Sequence, residues 1–175
     1  MGFGRGGLRS MTAVAMVSFV LLGLSGCAPS PDAQTRSPFS EKDFEVILAE
    51  GSGRIYGRAF LTTLEGEVKV AAGNTVQLWP APAFMKEVLS LQDRGYNVTN
   101  YTQAVVRKIR PYMRESLGDA QGNFEFTDLP AGDYLLQVTI TWEVHGQYGS
   151  STASDHVRTI VPLGEAQALK VVLTR

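Results

Sequence analysis

From Tyr134 to Val144 the chain alternates. Tyr134, Leu136, Val138, Ile140, Trp142 and Val144 share one parity, and Gln137, Thr139, Thr141 and Glu143 occupy most of the other. A period of two is that of a strand with one face buried and the other in water. A strand this long needs a sheet around it and a second layer against it. The same period recurs on both sides. Ile55, Gly57, Ala59 and Leu61 alternate with Tyr56, Arg58, Phe60 and Thr62, and Phe44, Val46 and Leu48 alternate in the same way. Val76 and Leu78 form a short run ending at Trp79-Pro80, and Phe124 and Phe126 flank Glu125. Tyr112–Leu117, His156–Val161 and Leu169–Leu173 complete the set. Turn chemistry lies between them, in Gly118-Asp119-Ala120-Gln121-Gly122 and in Asp128-Leu129-Pro130-Ala131-Gly132-Asp133, where Pro presets one dihedral and Gly accepts positive φ. Short strands at close spacing predict a mainly β chain, a β-sandwich of about seven strands.

One stretch departs from this period. From Ala81 to Arg110 the apolar residues fall at helical spacing: Phe84, Val88 and Leu91, then Tyr101, Val105 and Ile109, with Gly95-Tyr96-Asn97 between the groups. Asn100 and Gln103 are placed for a capping box and Pro111 for a stop. The reading is a short two-helix insertion over residues 81–111. Connections of this length are usually functional or disordered, and the helical spacing argues against disorder. With the apolar face docked, Lys86, Arg94, Tyr96, Arg107 and Lys108 are the candidate partner-binding residues. The blander reading is a helical cap over an open end of the sheets. Arg107, Lys108, Arg110 and Arg114 form a basic cluster that could meet acidic head groups or cell-wall polymers, or be a solvated face.

Composition shifts at the N-terminus. Residues 1–26 hold Arg5 and Arg9 and no acidic residue, and an apolar run from Met11 to Leu22 is broken only by Thr12 and Ser18. The run is short of the about 20 residues that span a bilayer. A basic start, an apolar run and then small residues is the layout of a secretory signal. Leu24-Ser25-Gly26-Cys27 resembles the lipobox of bacterial lipoproteins. The resemblance implies cleavage between Gly26 and Cys27, a diacylglyceryl group on the Cys27 thiol and acylation of the new amino group. Two or more chains anchor firmly where one binds reversibly. The same resemblance implies the cell envelope, and Ala28 in place of Asp favours the outer membrane in a diderm source. Residues 28–40, rich in Pro and Ser, read as a flexible tether of about 20 Å. The expected division is a signal peptide (1–26), the lipidated Cys and tether (27–40) and one folded domain (41–175).

The stretch Asp119-Ala-Gln-Gly-Asn-Phe-Glu-Phe-Thr-Asp-Leu-Pro-Ala-Gly-Asp-Tyr-Leu-Leu136 resembles the signature of carboxypeptidase regulatory-like domains, which are prealbumin-like β-sandwiches. Gly53-Arg-Ile-Tyr-Gly-Arg-Ala59 resembles their first strand and Asn74-Thr-Val-Gln-Leu78 their second. The resemblance covers residues 52–175 apart from the insertion, and it implies a fold while leaving the ligand open.

Several chemistries are excluded or disfavoured. With 44% hydrophobic and 19% charged residues in 175, the chain is ordinary globular material and not a polytopic membrane protein. Its one Cys is consumed by lipid in this reading, and two His argue against a metal site, so no metal and no cofactor are expected. A net charge of −1 gives no general attraction to nucleic acid. Neither His145 nor His156 has a Glu at the spacing of zinc carboxypeptidases. Where related surface adhesins place the Glu that assists an isopeptide bond, this chain has Gln137 and Val138. Ser151, Asp155 and His156 lie together in sequence, but neighbours on a strand face opposite ways, and Gly146–Ser154 reads as a flexible loop. Trp79, Tyr96, Tyr101, Tyr112 and Tyr148 are candidates for sugar stacking, with core packing expected of Trp79 and Trp142. The functional expectation is a lipid-anchored, non-catalytic binding or assembly module whose partner is an envelope protein or a glycan. A carbohydrate-binding module and a small envelope hydrolase are the alternatives, and the oligomeric state is left open.

Overall fold

The computed structural model describes Met1, residues 30–146 and residues 149–175. The expected signal peptide, the cleavage site at Gly26, the lipidated Cys27 and Tyr148 lie outside the described residues. In chain order the elements are β1 (Asp32–Ala33), a 3-10 helix (Glu41–Leu48), β2 (Gly53–Thr62), β3 (Val68–Val70), β4 (Thr75–Pro80) and α1 (Ala83–Asp93). There follow β5 (Asn97–Val98), α2 (Gln103–Ile109), a 3-10 turn (Arg110–Tyr112), β6 (Arg114–Leu117) and β7 (Asn123–Leu129). The chain closes with β8 (Gly132–Gly146), β9 (Gly149–Leu163) and β10 (Ala168–Leu173).

Two four-stranded sheets form the sandwich. In the first, β2 pairs in parallel with β10 and antiparallel with β7 and β3. The second runs β6-β4-β8-β9, antiparallel throughout. The alternation sorts the faces as its period demands. Ile55, Ala59 and Leu61 of β2, Phe124 and Phe126 of β7 and Leu173 of β10 meet Val76, Leu78, Tyr134, Leu136, Val138 and Ile140 of the opposite sheet. Tyr134 is fully buried, and its hydroxyl donates to the Pro130 carbonyl at 2.7 Å, so the one polar atom it carries inward is partnered. Burial pushes its phenol up to about 12. Gly57 is dictated by packing, because a Cβ there would stand 1.8 Å from the Val171 carbonyl oxygen of β10. The Asp119 carboxylate accepts from the Asn123 side chain and from the backbone N–H groups of Asn123 and Gln121, each at 2.8 Å. Those bonds hold its carboxyl below the usual range and close the turn into β7.

The insertion does not cap an end of the sheets; it covers the outer face of the second one. Phe84, Met85, Val88, Leu89 and Leu91 of α1 and Ile109 of α2 pack with Trp79 and Leu135 in a second apolar cluster, with Ile160 at its border. Trp79 and Leu135 are cross-strand partners whose neighbours Leu78, Tyr134 and Leu136 pack inside the sandwich. α1 ends in a Schellman turn: Tyr96 N–H reaches the Leu91 carbonyl and Gly95 N–H the Gln92 carbonyl, with Gly95 at φ +82.

Four local expectations change. Phe44, Val46 and Leu48 are not a strand. They lie on the 3-10 helix, where Phe44 and Ile47, one turn of three residues apart, are buried and Val46 and Leu48 are exposed. α2 is capped by Thr102, whose hydroxyl accepts from Val105 N–H at 3.4 Å, and not by Asn100. The Asn100 side chain is engaged elsewhere, with Thr35. The loop expected at Gly146–Ser154 is largely strand, since β8 and β9 stay in register as far as Gly146 and Gly149. Finally, residues 32–39 of the expected tether lie along the insertion. β1 pairs with β5, and the Glu87 carboxylate accepts the N–H groups of Arg36 and Ser37, both at 2.9 Å.

Candidate functional site

Besides an open cleft of about 780 Å³ lined by Trp142, His145, Asp155 and Arg175, two surfaces gather polar and aromatic side chains around a concavity. The first lies on the solvent side of the first sheet. The residues of β2 that face away from the core read Arg54, Tyr56, Arg58 and Phe60, so cation and ring alternate along the strand. The Arg54 guanidinium sits 4.7 Å from the Tyr56 ring centroid and that of Arg58 6.0 Å from the Phe60 ring. Register brings Lys170 of β10 and Glu125 of β7 to either side of Tyr56. Arg54 Nε pairs with Glu125 at 2.5 Å, and Arg58 Nε donates to the Gln121 carbonyl at 2.7 Å. The exposed Val172 completes a shallow groove of about 640 Å³.

The second concavity, about 330 Å³, lies between the second sheet and the insertion. Its floor is a cross-strand square in which Gln77 pairs with Gln137 and Trp79 with Leu135. Its walls are Met85, Tyr101, Val106, Arg110 and Met113, all from the insertion or its exit. Gln137 Nε2 donates to Gln77 Oε1 at 2.8 Å. The Trp79 indole N–H is buried and has no hydrogen-bond partner, the one such side-chain atom among the described residues. Tyr101 is half-buried, and burial raises its phenol against the opposing influence of Arg158.

The residues expected to bind a partner are not gathered into either concavity. Lys86 is committed to Asp133, at 2.5 Å, and ties α1 to the start of β8. Arg94 lies 5.7 Å from the Tyr96 ring and donates to the Ser90 carbonyl, so both hold the end of α1. Lys108 stands 5.9 Å from the Phe39 ring. Arg107 is exposed and makes no ion pair among the described residues. Arg114 leaves the expected basic cluster altogether, because its guanidinium donates to the carbonyls of Thr127 and Ile47, both at 2.9 Å. Tyr112 packs between the two cores.

No catalytic set assembles from the expected candidates. Ser151 is opposite Val144 and His156 opposite Thr139, five residues apart along β9, a separation of about 16 Å. His156 Nδ1 is instead 3.3 Å from the Thr139 hydroxyl. Burial, aided by Arg158, lowers its pKa. Gln137 faces the second concavity rather than the core, so the position offers no buried carboxylate for an isopeptide. Among the described residues no group of three His, Cys, Asp or Glu could hold a metal, and no helix is long and apolar enough to cross a membrane.

The first surface was missed in sequence because Tyr56 and Phe60 read only as the wet parity of a strand. The R-Y-R-F order was a visible signal, but Lys170 and Glu125 join it only through pairing of β10 and β7 with β2. Trp79 was named for stacking. Its partners Gln77, Gln137 and Arg110 could not be chosen without the position of the insertion.

No family model matches the chain, and no curated protein matches it. Among solved structures it is similar to a Pseudomonas aeruginosa protein put forward as a carbohydrate binding protein. The two share 26% identity over 79% of this chain and 99% of that one, with a TM-score of 0.63. A minor pilin of Streptococcus agalactiae, GBS52, overlaps 71% of this chain and 44% of its own at 16% identity and a TM-score of 0.38. The pilus backbone RrgB of Streptococcus pneumoniae overlaps 70% and 41% at 14% identity and a TM-score of 0.28, and neither of these two overlaps is close enough to carry an argument. The architecture is thus a mainly β sandwich, similar over most of its length to a protein of known structure.

Proposed function

We propose that this chain is a non-catalytic carbohydrate-binding module held in the cell envelope by lipid on Cys27. The observation that carries the binding reading is the solvent face of β2, where Tyr56 and Phe60 alternate with Arg54 and Arg58 beside Lys170. Aromatic rings offer flat apolar area to the C–H face of a sugar ring, and the cations donate to hydroxyl and carboxylate oxygens. The likeness to a protein put forward as carbohydrate-binding, over 99% of its length, supports the same reading. The anchor rests on the lipobox-like Leu24-Ser25-Gly26-Cys27, with residues 1–26 as the signal and 41–175 as a carboxypeptidase regulatory-like domain. Arg107 and Lys108, exposed at the end of α2, form the side offered to an envelope partner or acidic head groups.

The test is a glycan array probed with the full chain in a sugar-free detergent. The double variant Tyr56→Ala, Phe60→Ala loses the signal while the melting curve stays cooperative. An array blank for the parent, or identical for parent and variant, sinks the reading. For the anchor, Cys27→Ala abolishes palmitate labelling, and equal labelling of both chains refutes it.

A further inference from the structure

We infer that the domain stands on the bilayer by the β5 end of the insertion, with the groove of the first sheet turned away from the membrane. The inference rests on the lipid anchor proposed at Cys27. The first argument is length. Asn97 N–H reaches the Pro31 carbonyl and Thr99 N–H that of Ala33, both at 2.9 Å. Asn100 Nδ2 donates to the Thr35 hydroxyl at 2.7 Å, and Glu87 accepts the N–H groups of Arg36 and Ser37. The Phe39 ring then packs edge-on against Phe84. From Pro31 onward the chain is therefore fastened to the insertion. Cys27 stands only four residues before Pro31. Four residues span at most about 14 Å, so a lipid on Cys27 keeps β5 close to the head groups.

The second argument is the surface where the strap enters. Arg94-Gly95-Tyr96 leads directly into β5. Tyr96 is exposed, and the Arg94 guanidinium lies 5.7 Å from its ring centroid. A ring with a wet tip, beside a cation on an apolar stem, suits the boundary between head groups and acyl chains. Attraction to acidic lipid is not what holds it. Asp93 is paired with Arg158, and Asp32 accepts from Asn97 Nδ2 at 2.7 Å, so two carboxylates stand against the two guanidinium groups of this end. The anchor and the ring set the contact, and neutral lipid serves as well as acidic. Lys108 stands beside Phe39, at the other end of the strap, which leaves it and Arg107 to an envelope partner.

The third argument is what lies on the far side. The insertion covers the outer face of the second sheet, whereas Tyr56 and Phe60 lie on the outer face of the first. Packed sheets are about 10 Å apart and a helical layer adds about as much, which puts the groove roughly 20 Å beyond the strap. Head groups of the leaflet that holds the anchor do not reach it. The sugar proposed for the groove therefore belongs to a polymer in front of the domain, not to a lipid of its own leaflet.

The experiment uses the full chain, expressed with its signal and purified with its lipid, in phosphatidylcholine nanodiscs whose head groups carry a nitroxide. Amide NMR reads closeness to the head groups as loss of signal. Expected is the greatest loss at residues 95–99 and at Asp32 and Ala33, and none at residues 56–60. The pattern stays the same when phosphatidylglycerol is added. Glu87→Gln with Asn100→Ala releases the strap, and the loss spreads over both faces. Tyr96→Ser weakens the loss at residues 95–99 while the melting temperature holds. Four results overturn the inference and leave the anchor standing: equal loss on both faces of the parent, greatest loss on the β2 face, loss that moves to Arg107 and Lys108 with acidic lipid, or no change in either variant. A chain that carries no palmitate and leaves the disc refutes the anchor, and the inference with it.

Discussion

The core between the sheets and the core outside the second sheet are held by different kinds of bond. Inside the sandwich nearly all the apolar residues, Ile47 and Ala71 apart, ride on strands whose backbone is paired, so the positions of Ile55, Phe124 and Tyr134 follow from ladder registers. The outer core draws on a strap (Ala33, Phe39), a 3-10 helix (Phe44), α1 and α2. Few ladder bonds join those pieces to the sandwich. They are clipped on by side chains: Lys86 to Asp133, Arg158 to Asp93 and Gln92, Glu87 to the strap. Elements held by isolated clips open before elements held by cooperative ladders. One chain thus carries a rigid scaffold and a cover of lower local stability, with a concavity between them.

The largest expected effect is in the scaffold. Tyr134→Ala removes a fully buried ring and costs roughly 3–5 kcal/mol, with the whole chain unfolding in one transition. Tyr134→Phe loses only the bond to Pro130 and costs about 1 kcal/mol. A loss below about 1 kcal/mol for the alanine variant, against that core-aromatic range, would mean that the scaffold yields as easily as the cover.

Phe84→Ala is the matching cut in the cover. Phe84 is buried, with the Phe39 ring 5.4 Å away edge-on and Tyr101 at 6.4 Å. Its truncation lowers the opening free energy of the helices by roughly 3 kcal/mol. In hydrogen exchange the amides of α1, β5 and the strap lose protection while those of β2 and β8 keep theirs. Equal loss in both sets would show that the two cores form one cooperative unit.

Glycine substitutions sharpen the contrast. Gly57→Ala forces a methyl onto the Val171 carbonyl and costs roughly 3 kcal/mol, because the neighbour is backbone and cannot step aside. Gly95 at φ +82 has open space around it, so Gly95→Ala meets only the left-handed penalty of about 1 kcal/mol. Denaturant midpoints decide it, and a reversed order would break the distinction between a packing-limited scaffold and a conformation-limited cover.

The same contrast explains what could be read from the chain alone. The parity of Ile55–Leu61 and Tyr134–Ile140 was legible because a paired strand leaves a side chain only two directions. The long hairpin was underestimated past Val144, where Ser150, Ser151, Thr152 and Ser154 are exposed and carry no buried parity. Helical spacing revealed α1 and α2. It could not say that they lie on Trp79 and Leu135, since both of those residues read equally well as strand interior. The strap was the least legible. Asp32, Thr35 and Ser37 are polar residues in a Pro-rich run, and what holds them is a carboxylate and two asparagines fifty or more residues away in sequence. The site suffers in the same way. Tyr56 and Trp79 are visible as aromatics, but their polar neighbours arrive from other strands and from the insertion.

The smallest expected effect is the most local and tests the clip itself. Glu87 accepts two backbone N–H groups, and these bonds from Arg36 and Ser37 hold its carboxyl below the ordinary 4.5. A carboxylate whose pKa is depressed on folding favours the folded arrangement above its unfolded pKa. That contribution fades as pH falls below 4.5 and is gone once pH passes the lower folded value. The strap therefore stays docked at neutral pH and loosens only in acid, as does the Asp119 turn into β7, whose carboxylate is held down by the same kind of bond. The Arg36 and Ser37 amide protons, which feel the charge directly, should shift upfield with a common midpoint below 4.5 in an NMR titration. Glu87→Gln keeps an acceptor but not the charge, so at neutral pH trypsin cuts after Arg36 faster than in the parent although the melting temperature barely moves. A midpoint at or above 4.5, or identical cleavage of parent and variant, would mean that the strap is held by β1 and β5 alone.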